Sequence, residues 1–196
     1  MSRPLLFIIA AYLFGSIPTG VLLTRRSGVD IRSEGSGNIG ATNVARTAGR
    51  LLGVLTLVGD LLKGLAPVLA ARALGESNTT VGLVAVAAIV GHVFSVFLRF
   101  QGGKGVATGF GVLVGLAPAA SLVPLGVFVV VIAASGIVSL ASLSAAAAAP
   151  LTLWLFGHPS AVVVSALTIS VVITWRHQEN IRRLLAGTEA RFRART

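Results

Sequence analysis

The sequence predicts an all-α fold, a polytopic integral membrane bundle of about seven transmembrane helices, and three observations carry that expectation. Charged residues make up 11% of the 196 positions and apolar ones 55%, whereas soluble domains are roughly a quarter charged. Apolar runs recur along the whole length, each at or somewhat below the ~20 residues that a helix needs to cross hydrocarbon. They leave no stretch over for a soluble domain, so residues 1–196 are expected to form one transmembrane domain. The basic residues, which set a net charge of +10, fall singly and in pairs between the runs. That pattern anchors a chain in a bilayer; without a Lys/Arg stripe or interleaved aromatics, nucleic acid is not an expected partner.

The runs are residues 4–23, 51–74, 81–98, 106–116, 120–135, 142–156 and 161–175. The first is too long for a signal-peptide core and is followed by Arg25 and Arg26 where a small-residue cleavage site would stand, so it reads as a retained helix. The second carries Asp60 and Lys63, tolerable in hydrocarbon only if they pair, face the bundle interior or reach a wet cavity; their i,i+3 spacing permits one shared face. The third contains His92, expected as a buried hydrogen bonder. The fourth is short and glycine-rich, and Pro118 and Pro124 mark its border with the fifth; the rival reading merges the two into one kinked span. His158, beside Pro159, separates the last two runs and reads as a surface residue.

Charge decides between seven spans and six. With seven, residues 24–50, 99–105 and 136–141 and the tail from Arg176 share one side, which then holds Arg25, Arg26, Arg32, Arg46, Arg50, Arg99, Lys104, Arg176, Arg182, Arg183, Arg191, Arg193 and Arg195, or 13 of the 16 basic residues. The positive-inside rule places that side in the cytoplasm and the N-terminus outside. Six spans would split the basic first loop from the basic tail.

The polar stretches lie on that same side. In "EGSGNIGATNVAR" (34–46), Gly35, Gly37 and Gly40 allow positive φ and close backbone approach, so that successive N–H groups can turn toward an anion. A helix is expected to start in "ATNVAR", capped by Thr42 or Asn43, with Arg46 one turn later adding a guanidinium. The nucleotide P-loop pattern is absent, and an ordinary Gly/Asn-rich turn is the alternative. In "GGKG", three glycines flank Lys104, which suits a cation brought close to a ligand better than a snorkelling anchor. In "HQENIRR", His177 and Asn180 share a helical face, and Glu179 is expected to pair with Arg182 or Arg183. The chain has no cysteine and only six acids, widely dispersed. Disulfides, a cysteine nucleophile, a metal site and a cofactor are therefore not expected. No G-x-S-x-G elbow is present, and no histidine has a carboxylate four or five residues on. What remains is an anion site of backbone N–H groups, Arg46, Lys104 and neutral donors, with His177 as the evident base.

Taken in order, "SGNIGATNVAR", "GHVFSVFLRFQGGKGVAT" and "HQENIRRLLAGTE", with "GSIPTG" and "DLLKG", resemble the bacterial acyl-phosphate:glycerol-3-phosphate acyltransferase family over nearly the whole chain. The resemblance implies transfer of a fatty acyl group from acyl phosphate to the sn-1 hydroxyl of glycerol 3-phosphate in the inner membrane. By motif it implies that Ser36, Asn38, Gly40, Thr42, Asn43 and Arg46, with Gly37 in the same loop, hold the acyl phosphate. Lys104, His177 and Asn180 would hold glycerol 3-phosphate, and Ser142 of "SLAS" would join the site. An acyl phosphate is already activated, so direct transfer without an acyl-enzyme is expected, the proton passing to His177 or to a substrate phosphate. A carrier of phosphorylated metabolites is the alternative; against it, the halves show no repeat. A non-catalytic scaffold would leave the polar glycine-rich loops without a reason.

Overall fold

The computed structural model describes residues 2–192, which form helices and connections without a strand; Arg193 and Arg195 lie outside the described residues. The helices are α1 (Arg3–Gly15), α2 (Thr19–Thr24), α3 (Ala41–Thr47), α4 (Arg50–Ala73), α5 (Asn78–Val93), α6 (Val106–Leu116), α7 (Pro118–Ser135), α8 (Val138–Leu155), α9 (Ser160–Arg176) and α10 (Gln178–Leu185), with a 3-10 turn at Val96–Leu98. Their outward side chains, among them Leu122, Val130, Leu151, Leu155 and Val171, are apolar and exposed, as a lipid-facing belt must be.

All seven apolar runs are helical, yet they are not seven full-length spans. Five stretches are long and apolar enough to cross a membrane: Arg3–Thr24, Arg50–Ala73, Asn78–Leu98, Pro118–Ser135 and Val138–Leu155. α9 qualifies only together with α10, from which it is bent by 62°. α6 has 11 residues, about 16 Å of helix against ~30 Å of hydrocarbon. It nevertheless stays a separate helix from α7, because Ala117 between them is extended at φ −154°, ψ 81°. The merged reading of these two runs therefore fails.

Glycine sets how the helices approach one another. A Cβ on Gly64 would fall on the Thr108 carbonyl, one on Gly111 on the Leu61 carbonyl, and one on Gly115 against Val68. α4 and α6 therefore meet backbone to backbone, as small residues permit in membranes. Gly64 meets Thr108 near the start of α6, whereas Val68 and Arg72 meet Gly115 and Leu116 near its end, so α6 runs parallel to α4 and lies along its C-terminal half. α1 and α5 meet in the same way through Gly15 on the Ala88 carbonyl and Gly91 on the Tyr12 carbonyl.

Contacts at the ends separate two faces. Arg3 donates to the Leu74 carbonyl and pairs with Glu76 at 2.9 Å, so the start of α1 sits beside the α4–α5 turn. Arg72 donates to the carbonyls of Gly115 and Leu116 at 2.7 and 2.8 Å, which completes the open C-terminal end of α6 on that face. Residues 25–49, 94–105, 136–137 and 177–192 gather at the other face.

The charges inside α4 do pair. Asp60 and Lys63 are 3% and 2% exposed and 2.9 Å apart. Asp60 also accepts from the Thr19 hydroxyl, and Lys63 donates to the Ile17 carbonyl at 2.8 Å. The chain breaks helix between α1 and α2 at that carbonyl, with Pro18 next in sequence, so the ion pair fastens α4 to the break in "GSIPTG".

Removing one partner of a buried pair strands the other charge, at a cost of about 3–5 kcal/mol. Asp60→Ala should therefore lower thermal stability in detergent far more than the charge-neutral double variant Asp60→Asn with Lys63→Met. Equal losses, read from thermal unfolding of the two purified proteins, would contradict the pairing.

Candidate active site

The first polar loop is shaped from beneath. Ile31, Ile39 and Val44 form a small core under it, and Asn43 is 2% exposed. The Asn43 amide nitrogen donates to the carbonyls of Ile31 and Glu34 at 2.9 and 3.0 Å, and its oxygen accepts from the Ser36 N–H at 2.9 Å. Gly35 and Gly37 take φ of +62° and +67° as expected, and a Cβ on Gly35 would strike the Asn43 amide. Two expectations are corrected. Gly40 sits at φ −79° and is itself the N-cap of α3, whereas Thr42 and Asn43 fall inside the first turn. Asn43 is turned back to brace the loop, and the Ser36 N–H is directed to it instead of outward.

The second loop is fastened on both sides. The N–H groups of Gly102 and Gly103 donate to the carbonyls of Val93 and His92 at the end of α5, at 2.9 and 3.1 Å. Arg176, at the end of α9, donates to the carbonyls of Gly103 and Gly102 at 3.2 and 2.9 Å, and its guanidinium lies 5.6 Å from the Trp175 ring centre. A Cβ on Gly103 would meet the His92 ring. Of the three glycines only Gly105 has positive φ, +83°; Gly102 and Gly103 are small because the loop packs tightly on α5. His92 is the buried hydrogen bonder expected, with Nδ1 3.0 Å from the Thr108 hydroxyl and 3.9 Å from Asp60.

The tail supplies the third side. At the bend between α9 and α10, His177 donates from Nδ1 to the Ile173 carbonyl at 2.7 Å. Burial lowers its pKa below the ordinary histidine value against the pull of that hydrogen bond, so the ring is neutral near pH 7 with Nε2 as its acceptor. Lys104 donates to the Asn180 amide oxygen, and Asn180 donates to Glu189. Glu189 also accepts from Ser139 at 2.7 Å and from Arg183 at 2.6 Å. Burial pushes the Glu189 carboxyl up, but its hydrogen bonds from Ser139, Asn180 and Arg183 outweigh this and hold it below the usual carboxylate value. Burial, then Arg183, lowers the Lys104 ammonium. The expected Glu179–Arg183 pair exists at 4.0 Å with Glu179 largely exposed; the closer partner of Arg183 is Glu189.

These segments enclose one cavity of about 830 Å³. Its polar end carries Ser36, Asn38, Gly40, Thr42, Asn43, Arg46, Lys104, Ser139, Ser142, His177, Asn180 and Arg183, and an apolar arm continues past Phe110, Leu125 and Phe128. Ten of the eleven site residues expected from sequence therefore line one space. Gly37 does not; it makes the turn beside it. Ser142 bonds back to the Val138 carbonyl at 2.8 Å. Ser139, Arg176, Arg183 and Glu189 were missed, although "SLAS" and "HQENIRRLLAGTE" contain three of them and Arg176 directly precedes His177. Their roles arise from contacts across 50 to 74 residues, which no local spacing reveals, and in the case of Arg183 from a partner beyond the end of its helix.

The family model for glycerol-3-phosphate acyltransferase matches residues 5–187. The chain is 51% identical over 194 residues to the glycerol-3-phosphate acyltransferase of Trichlorobacter lovleyi, covering 99% of this chain and 100% of that one. It is 52% identical, with the same coverage, to that of Geobacter sulfurreducens. The crystal structure of PlsY (YgiH), an integral membrane glycerol 3-phosphate acyltransferase in its glycerol 3-phosphate form, is similar with a TM-score of 0.94 at 41% identity, over 98% of this chain and 96% of that one.

The Arg176 clamp predicts a measurable change in loop protection. Hydrogen bonds to a charged donor contribute roughly 1.5–3 kcal/mol each, so Arg176→Ala should speed amide exchange at Gly102 and Gly103 by at least about tenfold. Arg176→Lys, with no planar fork, should recover part of the protection. Unchanged exchange in both variants would mean that the loop holds itself.

Proposed function

The chain belongs to the glycerol-3-phosphate acyltransferase family, and from that premise we propose that it moves a fatty acyl group from an acyl phosphate to the sn-1 hydroxyl of glycerol 3-phosphate, releasing lysophosphatidic acid and inorganic phosphate. This would be the first step of phospholipid synthesis. The observation that carries the reading is the union, in one cavity, of a cationic, donor-rich end and an apolar arm. A substrate that is an anion at one end and a hydrocarbon chain at the other fits such a space.

In this reading Ser36, Asn38, Gly40, Thr42 and Arg46 receive the acyl phosphate, with Asn43 holding their loop in shape and Gly37 turning it. Arg46 lines the cavity and forms no ion pair among the described residues, which leaves its guanidinium for a phosphate. Lys104, His177 and Asn180 receive glycerol 3-phosphate, and Glu189 keeps Asn180 and Arg183 in place. Ser142 borders both groups. Neutral His177, with Nε2 as acceptor, takes the hydrogen bond of the attacking hydroxyl and so orients it; it does not supply a cation. The hydroxyl oxygen forms the new ester bond to the acyl carbon, the carbon–oxygen bond to phosphate breaks with its electrons passing to phosphate, and the proton ends on a phosphate oxygen. Proximity and charge stabilisation supply the rate. The acyl group moves directly, without an acyl-enzyme.

The protein sits, on this reading, in the bacterial inner membrane with its site at the cytoplasmic face and its N-terminus outside, as the one-sided basic residues suggest. Single cysteines at Ser36 and Gln101 should resist an impermeant thiol reagent added to intact cells and react after lysis; labelling from outside would reverse the orientation.

The decisive assay incubates purified protein with palmitoyl phosphate and glycerol 3-phosphate and measures lysophosphatidic acid. Arg46→Ala and Lys104→Ala should lower kcat/KM at least tenfold, since lost transition-state contacts of this kind cost about 2–4 kcal/mol. Arg26→Ala, on the exposed part of the first loop, should stay near wild type. Labelled donor alone should leave no stoichiometric label on denatured protein. Uptake of glycerol 3-phosphate without product would favour a carrier and overturn the reading.

A further inference from the structure

The apolar arm is lined by Phe110 and Leu116 of α6, Pro124, Leu125 and Phe128 of α7, and Ala166 of α9. The α8 lining includes Ser142, Ala145 and Ala149, at i, i+3 and i+7 and so on one helical face. Ala145 and Ala149 lie about 4.5 and 10.5 Å beyond Ser142 along the helix. Both line the cavity and are only partly buried, Ala149 packing in addition against the neighbouring core. Ala146 also borders the cavity but is buried in the core, and its carbonyl accepts from Ser170 on α9.

Resting on the acyl-transfer reading above, we propose that Ala145 and Ala149 set the length of acyl chain that the enzyme accepts, as two successive marks along the arm. A donor whose phosphate lies among Ser36, Arg46 and Ser142 must thread its chain past Ala145 first and Ala149 second. A larger side chain at either mark fills the arm at that depth. A chain that ends short of the mark is untouched, while a longer one must overlap it, and close-packed hydrocarbon yields little volume.

The test uses full-length protein reconstituted in vesicles, glycerol 3-phosphate, and butanoyl, octanoyl or palmitoyl phosphate as donor. Ala149→Leu should lower kcat/KM for palmitoyl phosphate at least about tenfold and leave octanoyl and butanoyl within about twofold of wild type. Ala145→Leu should in addition lower octanoyl transfer and spare butanoyl. Ala147→Leu, on the exposed face of α8, should leave all three donors unchanged. Retained butanoyl transfer reports that each variant is folded. A wild-type profile in both cavity variants, or equal loss with all three donors, would overturn the proposal. Failure of the wild-type protein to make lysophosphatidic acid from any donor would instead reject the acyl-transfer reading.

Discussion

Backbone carbonyls in hydrocarbon have no water to turn to, so a membrane helix can stop only where another donor takes over. This chain stops helix within or beside the bilayer at Ile17, Phe94, Leu116 and His177, and a side chain answers at each place. Lys63 reaches the Ile17 carbonyl, Ser95 that of Ser16, Tyr12 that of Phe94, and Arg72 those of Gly115 and Leu116. Arg176 serves Gly102 and Gly103, and His177 serves Ile173. Among the described residues no buried side-chain nitrogen or oxygen is left without a partner. The breaks are what let polar loops dip between the helices, and the long donors are what make the breaks tolerable.

The electrostatics of the cavity follow from the same economy of charge. Lys104, Arg46 and Arg183 reach the polar end, and Glu189 accepts from Arg183 and Asn180 together, leaving an excess of donors facing inward. Burial weakens the hold of Lys104 and His177 on their protons. Such a site favours an incoming phosphate, which restores the stability of the ammonium as it binds.

Much of this was legible from residue order. The apolar runs give the helices to within a few residues, because composition alone decides what can lie in lipid. The glycine-rich loops point to the candidate site, because polar backbone needs a reason to gather at one end of a bundle. The length of α6 misled: eleven apolar residues look like a weak span, and only the run of contacts from Gly64 to Gly115 shows that the helix begins halfway along α4. Asn43 misled in another way. An asparagine beside a helix start reads equally as a cap, a ligand or a brace, and the choice depends on Ile31 and Glu34, which approach it only in three dimensions.

The contacts of Gly64 and Gly111 carry a consequence for how this chain tolerates change. Each sits where the backbones of α4 and α6 touch, neither lines the cavity, and neither bears a group that chemistry uses. A single methyl at either place would push α6 away from α4, and α6 begins two residues after Lys104. In a survey of random alleles, these silent-looking glycines would therefore score with the reactive residues, so a map of intolerant positions would outline the seam between two helices as boldly as the chemistry itself.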